Sequence, residues 1–170
     1  MEDPKRPLAV IIGGTKLESK LPVIQKFRET ADYIMLSSLL SANWSKEITH
    51  NMILADNRDV ESRDINDKTR QKFSEILENT GTVLWAGPLG MFEEDEFLEG
   101  TKEIALKIAD ITARKGVFSV VGGGDTVSAI NELGLLDKFS FVSTGGGAML
   151  QFLAGETLPG IEALNQCLKF

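Results

Sequence analysis

Short, uninterrupted runs of β-forming apolar residues alternate along this chain with stretches whose apolar residues recur every three or four positions. Leu8 to Ile12, Asp32 to Leu36, Thr82 to Trp85, Val117 to Val121 and Phe139 to Val142 are the runs, and they predict strands. MILA, from Met52, is a weaker candidate inside Ser37 to Asp64, where polarity is mixed. SKLPVIQKFRET predicts a helix beginning between Ser19 and Leu21, because Pro22 is compatible only with a first turn. NDKTRQKFSEILENT sets Phe73, Ile76 and Leu77 on one face behind a cap at Asn66 or Asp67. GTKEIALKIADITAR carries Ile104, Ile108 and Ile111 on one stripe with Ala105 beside it, and LPGIEALNQCL predicts a short helix entered through Pro159.

Strands that are apolar at successive positions and separated by helices need cover on both faces. The predicted fold is α/β, a Rossmann-like three-layer α/β/α sandwich with a mostly parallel sheet. No linker or low-complexity segment interrupts it, so residues 1–170 are expected to form one domain. Ligands of such sheets collect outside the carboxyl ends of the strands, and the glycine clusters fall there.

Composition narrows the chemistry. The formal charge of −7 argues against nucleic acid or an anionic membrane as a partner. One cysteine, Cys167, supports neither a disulfide framework nor a CxxC metal site. One histidine, His50, sits in a polar setting and is expected at the surface. The opening MEDPKRPLAV has no apolar signal-peptide core and no apolar run reaches membrane-spanning length, so the expectation is a soluble, cytoplasmic protein.

Glycine after a strand allows a sharp turn and lets an anion approach backbone N–H groups; a helix starting there adds free donors and a positive dipole end. VVGGGDTVSAI (Val120 to Ile130) offers both, and VSTGGGAML (Val142 to Leu150) repeats the arrangement. One such loop is as readily a plain turn as a phosphate cradle, and Asp125 is as readily a helix cap as a magnesium ligand bridging to phosphate. Three glycine loops after three strands weigh toward the cradle. The first, GGTKLESK, adds Lys16 and Lys20, which reach the strand ends together if the helix starts near Thr15; the alternative is two solvated lysines paired with Glu18 or Glu29. Neither a Walker loop nor GxGxxG is present, so the motifs alone say "phosphate site at the carboxyl edge". Trp44, Trp85, Met149 and Phe152 are expected to pack inward, and Glu93 to Glu96 to form a solvated helix start.

PLAVIIGGTKLESKLPVI, VLWAGPLGMFE, GTKEIA, VVGGGDTVSAI and VSTGGGAMLQFLAGETLPGIEAL, in that order, closely resemble the carboxyl-terminal, nucleotide-binding half of phosphoglycerate kinase. The resemblance implies a lobe that holds magnesium-bound ADP or ATP, in an enzyme moving a phosphoryl group between 1,3-bisphosphoglycerate and ADP in glycolysis. Lys16 matches the lysine that follows the transferring group, and Lys20 one that contacts nucleotide phosphates. Gly13 and Gly14 belong to the first loop. Gly122, Gly123 and Gly124 match the phosphate turn, Asp125 the magnesium-linked aspartate and Thr126 a phosphate contact. Gly145, Gly146 and Gly147 match the start of the helix that faces the transferring group. Glu93 matches the carboxylate on the ribose hydroxyls, with Pro88 lining that pocket.

The chain also departs from the pattern. Ala86 stands where the family has an asparagine, and Ser37, Ser38 and Leu39 where it has a glycine triplet walling the adenine slot. Its glycine-leucine-aspartate stretch reads here Ser62, Arg63, Asp64, its Gly-Pro reads Asn66, Asp67, and the intervening segment is shorter. The expectation is a retained polyphosphate site beside an altered base slot. The amino-terminal lobe that holds 3-phosphoglycerate or 1,3-bisphosphoglycerate is expected to be absent, leaving the chain alone with little or no kinase activity. The alternative is a non-catalytic binding or interaction module that keeps the fold and has lost nucleotide affinity.

Overall fold

The structure is a computed structural model describing residues 3–57, 61–153 and 155–167. It begins with β1 (Leu8–Ile12), α1 (Leu21–Thr30), β2 (Tyr33–Leu36), the short α2 (Ser38–Ala42) and the two-residue β3 (Met52–Ile53). Next come α3 (Asp67–Leu77), β4 (Thr82–Ala86), a 3₁₀ turn at Asp95–Phe97 and α4 (Glu99–Lys115). The chain continues through β5 (Phe118–Gly122), α5 (Gly124–Glu132), a 3₁₀ turn at Leu136–Lys138, β6 (Phe141–Ser143), α6 (Gly146–Leu153) and α7 (Pro159–Cys167). All the strands pair in parallel, in the order β3-β2-β1-β4-β5-β6. The chain starts mid-sheet, winds outward to β3, then returns to β4 and winds the other way. That reversal leaves a crevice between the carboxyl ends of β1 and β4, the standard ligand position of this topology.

Alternation along the strands divides two cores. Ala9, Ile11, Met35, Val83, Trp85 and Val121 pack with Phe73, Leu77, Ile104, Ile108 and Ile130, the apolar stripes of α3, α4 and α5. Val10, Ile12, Ile34, Leu36, Leu84 and Val120 pack on the other face with Val23, Ile24, Phe27, Leu40 and Leu150 from α1, α2 and α6. Both faces of β1, β2 and β4 are buried, so these strands read as continuous apolar runs and the three-layer expectation holds, while Phe118 and Phe141 at the β5–β6 end stay exposed.

Local chemistry sets the ends. Pro22 falls in the first turn of α1, as expected. Asn66 is the cap of α3: its side chain accepts from the backbone N–H of Thr69 at 3.0 Å. α4 ends at Gly116, whose φ of 65° supplies the left-handed C-cap. β6 starts two residues later than predicted. Ser119 and Ser140 exchange backbone N–H to hydroxyl bonds at 3.1 Å in each direction, replacing the ladder there, while Phe139 turns inward to meet Trp85, ring centroids 6.5 Å apart. His50 is exposed, as are Glu93 to Glu96, although the ordered turn there is 3₁₀ and begins only at Asp95. Phe152 corrects the expectation of inward packing. It is 52% exposed, whereas Met149, three positions earlier on α6, packs on the second core.

Candidate functional site: glycine loops at the sheet's carboxyl edge

The loops after β1 and β4 meet backbone to backbone. Gly13 N–H donates to the Ala86 carbonyl and Gly14 N–H to the Pro88 carbonyl, each at 2.9 Å. A Cβ on Gly13 would overlap the Pro88 carbonyl oxygen, and one on Gly87 (φ 94°) would overlap the Gly13 carbonyl, so only glycine permits this approach. Two side chains fix the β4 loop from below: Trp85 Nε1 donates to the Gly87 carbonyl at 2.8 Å, and Gly87 N–H donates to Thr126 Oγ1 at 2.8 Å. A second close pair lies beside it, where the Gly146 Cα faces the backbone of Gly123, the N-cap of α5, with no room for a Cβ.

These contacts leave a cavity of about 370 Å³ above the strand ends. Gly13, Gly14, Gly123 and Gly124 line it with Asp125, and so do Gly146 and Gly147 at the start of α6. Lys16 and Lys20 line it too. They do not share a helix as the Thr15 start would have required; Lys20 caps α1, and Lys16 lies in the irregular loop before it. Lys16 is exposed. Lys20 is half-buried, and burial draws its pKa below the ordinary lysine value while the nearby Asp125 carboxylate works the other way. A partly desolvated ammonium with one carboxylate neighbour suits a polyanion arriving with its own cation.

Three residues expected at the phosphates do not reach this cavity. Thr126 is fully buried with its hydroxyl bound to Gly87, so it braces the loop instead of facing a phosphate. Gly122 lies under the Met149 side chain. Gly145 opens onto an apolar groove of about 490 Å³ between β6, α6 and α7.

A second cavity, about 210 Å³, adjoins the first and shares Gly14, Thr15, Pro88 and Asp125 with it. Leu39, Arg63, Met91 and the expected ribose carboxylate Glu93 also line it. Ser37, the N-cap of α2, touches it as well. Of the three residues that replace the family's glycine triplet, Ser37 and Leu39 line this second cavity, whereas Ser38 is buried with its hydroxyl donating to the Asp64 carbonyl at 2.9 Å.

Sequence reading missed one supporting residue. Asp64 Oδ1 accepts from Ile65 N–H at 2.8 Å, and Oδ2 from Gly100 N–H at 2.7 Å in the first turn of α4. The carboxylate packs against Gly90 of the cavity wall, and the Arg63 carbonyl accepts from Met91 N–H at 2.8 Å. Burial pushes Asp64 up to about 6, against the lowering effect of the Gly100 and Ile65 bonds and of Arg70. Its partners lie up to 36 positions away, so no local signal could have revealed it.

The described residues contain no group of three or more His, Cys, Asp or Glu able to hold a metal ion. Asp125 alone at the cavity fits a magnesium that takes one carboxylate and completes its shell with phosphate oxygens and water.

The sequence profile of phosphoglycerate kinase matches residues 41–156. The chain belongs to the phosphoglycerate kinase family. It is 35% identical to the phosphoglycerate kinase of Thermus thermophilus over 214 residues, which takes in 97% of this chain and 54% of that protein. It is 32% identical to the cytosolic phosphoglycerate kinase 3 of Arabidopsis thaliana, with 96% and 53% covered. The fold is similar to the solved phosphoglycerate kinases of Coxiella burnetii (TM-score 0.76, 27% identity, 95% of this chain and 53% of that one) and Pyrococcus horikoshii (TM-score 0.77, 27% identity, 96% and 52%). The chain thus spans about half the length of the relatives it matches. Alignments of 214 residues against a chain of 170 mean that such relatives also carry internal residues without a counterpart here. No helix among the described residues is long and apolar enough to cross a membrane.

Proposed function

We propose that this chain is the nucleotide-binding lobe of a phosphoglycerate kinase, holding magnesium-bound ADP or ATP by its polyphosphate tail at the junction of the four glycine loops. The observation that carries the reading is the convergence of Lys16, Lys20, Asp125 and the helix starts at Gly124 and Gly146 on one cavity in the crevice of the sheet. Backbone N–H groups at those helix starts donate to phosphate oxygens without reorganisation, and the helix dipoles favour the negative charge. Lys20 binds the non-transferring phosphates, and the longer-ranging, exposed Lys16 follows the phosphoryl group as it moves. Asp125 holds the metal's position; magnesium, when bound, neutralises charge on the phosphate oxygens. Pro88 and Glu93 seat the ribose. In-line phosphoryl transfer asks for positioning and charge neutralisation and no covalent nucleophile. Such a lobe positions one of the two reactants, so transfer to or from 3-phosphoglycerate requires a second lobe, and the 170 residues alone are expected to show little or no kinase activity.

Titration of the 170-residue chain with Mg-ADP tests this. The expected dissociation constant is on the order of tenths of a millimolar, about 5 kcal/mol, because the phosphate contacts are kept while Leu39 and Ala86 alter the rest. Lys20→Ala and Asp125→Ala abolish the heat. The second reading, a module that keeps the fold without nucleotide affinity, is favoured by Ser37 and Leu39 in the cavity wall. It prevails if millimolar Mg-ADP gives neither heat nor a thermal shift.

A further inference from the structure

The lining of the smaller cavity includes a cationic residue that the polyphosphate does not account for. Arg63 lines it with Leu39, Met91 and Glu93, whereas Gly14, Thr15, Pro88 and Asp125 mark the end shared with the phosphate cavity. Its guanidinium carbon lies 5.2 Å from the centroid of the Phe97 ring, and Nη1 is 3.4 Å from Glu94 Oε2. The side chain remains 52% exposed, so it is steadied without being enclosed. Stacking and one ion pair pre-orient a planar donor fork at modest entropic cost, and its backbone is tied to the same wall through the Met91 N–H.

A guanidinium only donates. On their Hoogsteen edge, guanine and hypoxanthine present two acceptors, N7 and O6, which match a two-pronged donor; adenine presents one acceptor and an amino donor. We infer that Arg63 selects the base, and that this site takes a magnesium-bound nucleoside diphosphate or triphosphate carrying a 6-keto purine in preference to the adenine nucleotide. This rests on the nucleotide-lobe reading above and changes only the base. Leu39 and Met91 supply apolar surface for the ring, and Glu93 stays with the ribose. A good bidentate contact of this kind discriminates strongly, and half exposure puts Arg63 at the low end, about five- to tenfold.

The test is calorimetric titration of the 170-residue chain, at one pH and salt concentration, with Mg-GDP, Mg-IDP, Mg-ADP and Mg-pyrophosphate. GDP and IDP are expected to bind alike and about five- to tenfold tighter than ADP. Arg63→Leu and Arg63→Lys both bring the three nucleotides to within about twofold and leave pyrophosphate unchanged; the lysine keeps the charge and loses the fork. Thermal melts verify that both variants are folded. ADP binding as tightly as GDP, or a preference that survives both substitutions, overturns the inference. If pyrophosphate binds and the nucleotides do not differ, the inference falls while the phosphate site stands. Silence from every ligand removes both.

Discussion

Gly87 donates its backbone N–H to Thr126 Oγ1 at 2.8 Å, tying the loop after β4 to the first turn of α5 across 39 positions of sequence. Thr126 is fully buried, so its hydroxyl stabilises the wall of the site. Thr126→Val keeps the shape, leaves a buried N–H without an acceptor, and is expected to cost about 1–3 kcal/mol, a fall of several degrees in Tm. Thr126→Ser should restore most of it. A valine variant with unchanged melting and lost Mg-ADP binding would return Thr126 to the phosphate-contact role expected from its place in the motif.

Adjacent glycines of α6 should respond with opposite sign. A Cβ at Gly146 would run into the backbone of Gly123, whereas one at Gly147 meets nothing within 4 Å. Gly146→Ala therefore has to separate two chain segments, at about 1–3 kcal/mol or more. Gly147→Ala only improves helix propensity, by roughly 0.5–1 kcal/mol. Urea unfolding of the pair measures the contrast, and equal effects would contradict the observed proximity.

Asp64 makes stability depend on pH. Its folded pKa, raised to about 6, exceeds the ordinary aspartate value of 3.8. From the lower value to the higher one the folded state holds a proton that the unfolded state has released. Unfolding free energy therefore falls as pH rises through that window, and the contribution is full only below the unfolded pKa. Allowing for partial exposure, the loss is on the order of 1–2 kcal/mol. Asp64→Asn should flatten the slope between pH 4 and pH 6.5 in chemical denaturation. A variant with the wild-type slope would assign the titration elsewhere.

The cap of α3 offers a test away from the site. Asn66 Oδ1 accepts from the Thr69 N–H at 3.0 Å and from the Thr69 hydroxyl at 2.8 Å. That same hydroxyl accepts from the Asp56 N–H at 2.8 Å, fastening the stretch after β3 onto α3. Asn66→Ala should cost about 1 kcal/mol and Asn66→Asp very little, read as shifts of the urea midpoint without change in slope. A neutral alanine variant would show that the turn is held by other bonds.

The sequence was most legible where chemistry is local. Pro22 and Asn66 set their helix starts within one turn, and the runs of β1, β2 and β4 became strands because both faces of the sheet's centre are buried. Ser37 to Asp64 was hard to read because its order depends on distant partners. Ser38 Oγ donates to the Asp64 carbonyl at 2.9 Å, 26 positions on, and Ser41 Oγ accepts from Ala55 N–H at 2.9 Å. Strand edges were displaced where side chains replaced ladder bonds, as at Ser119 and Ser140.

By itself the sequence determined the layered α/β architecture, the family and the identity of the loops that carry the glycines, since these follow from patterns repeated within a few residues. Only the tertiary structure decided which glycines touch each other, that Thr126 supports where Asp125 and Lys20 are presented, and that Arg63 lines a cavity whose Gly90 wall Asp64 backs. The physical reason is distance along the chain. Hydrogen bonds and steric limits between segments tens of residues apart depend on strand order and register, and an apolar run buried on both sides does not encode either.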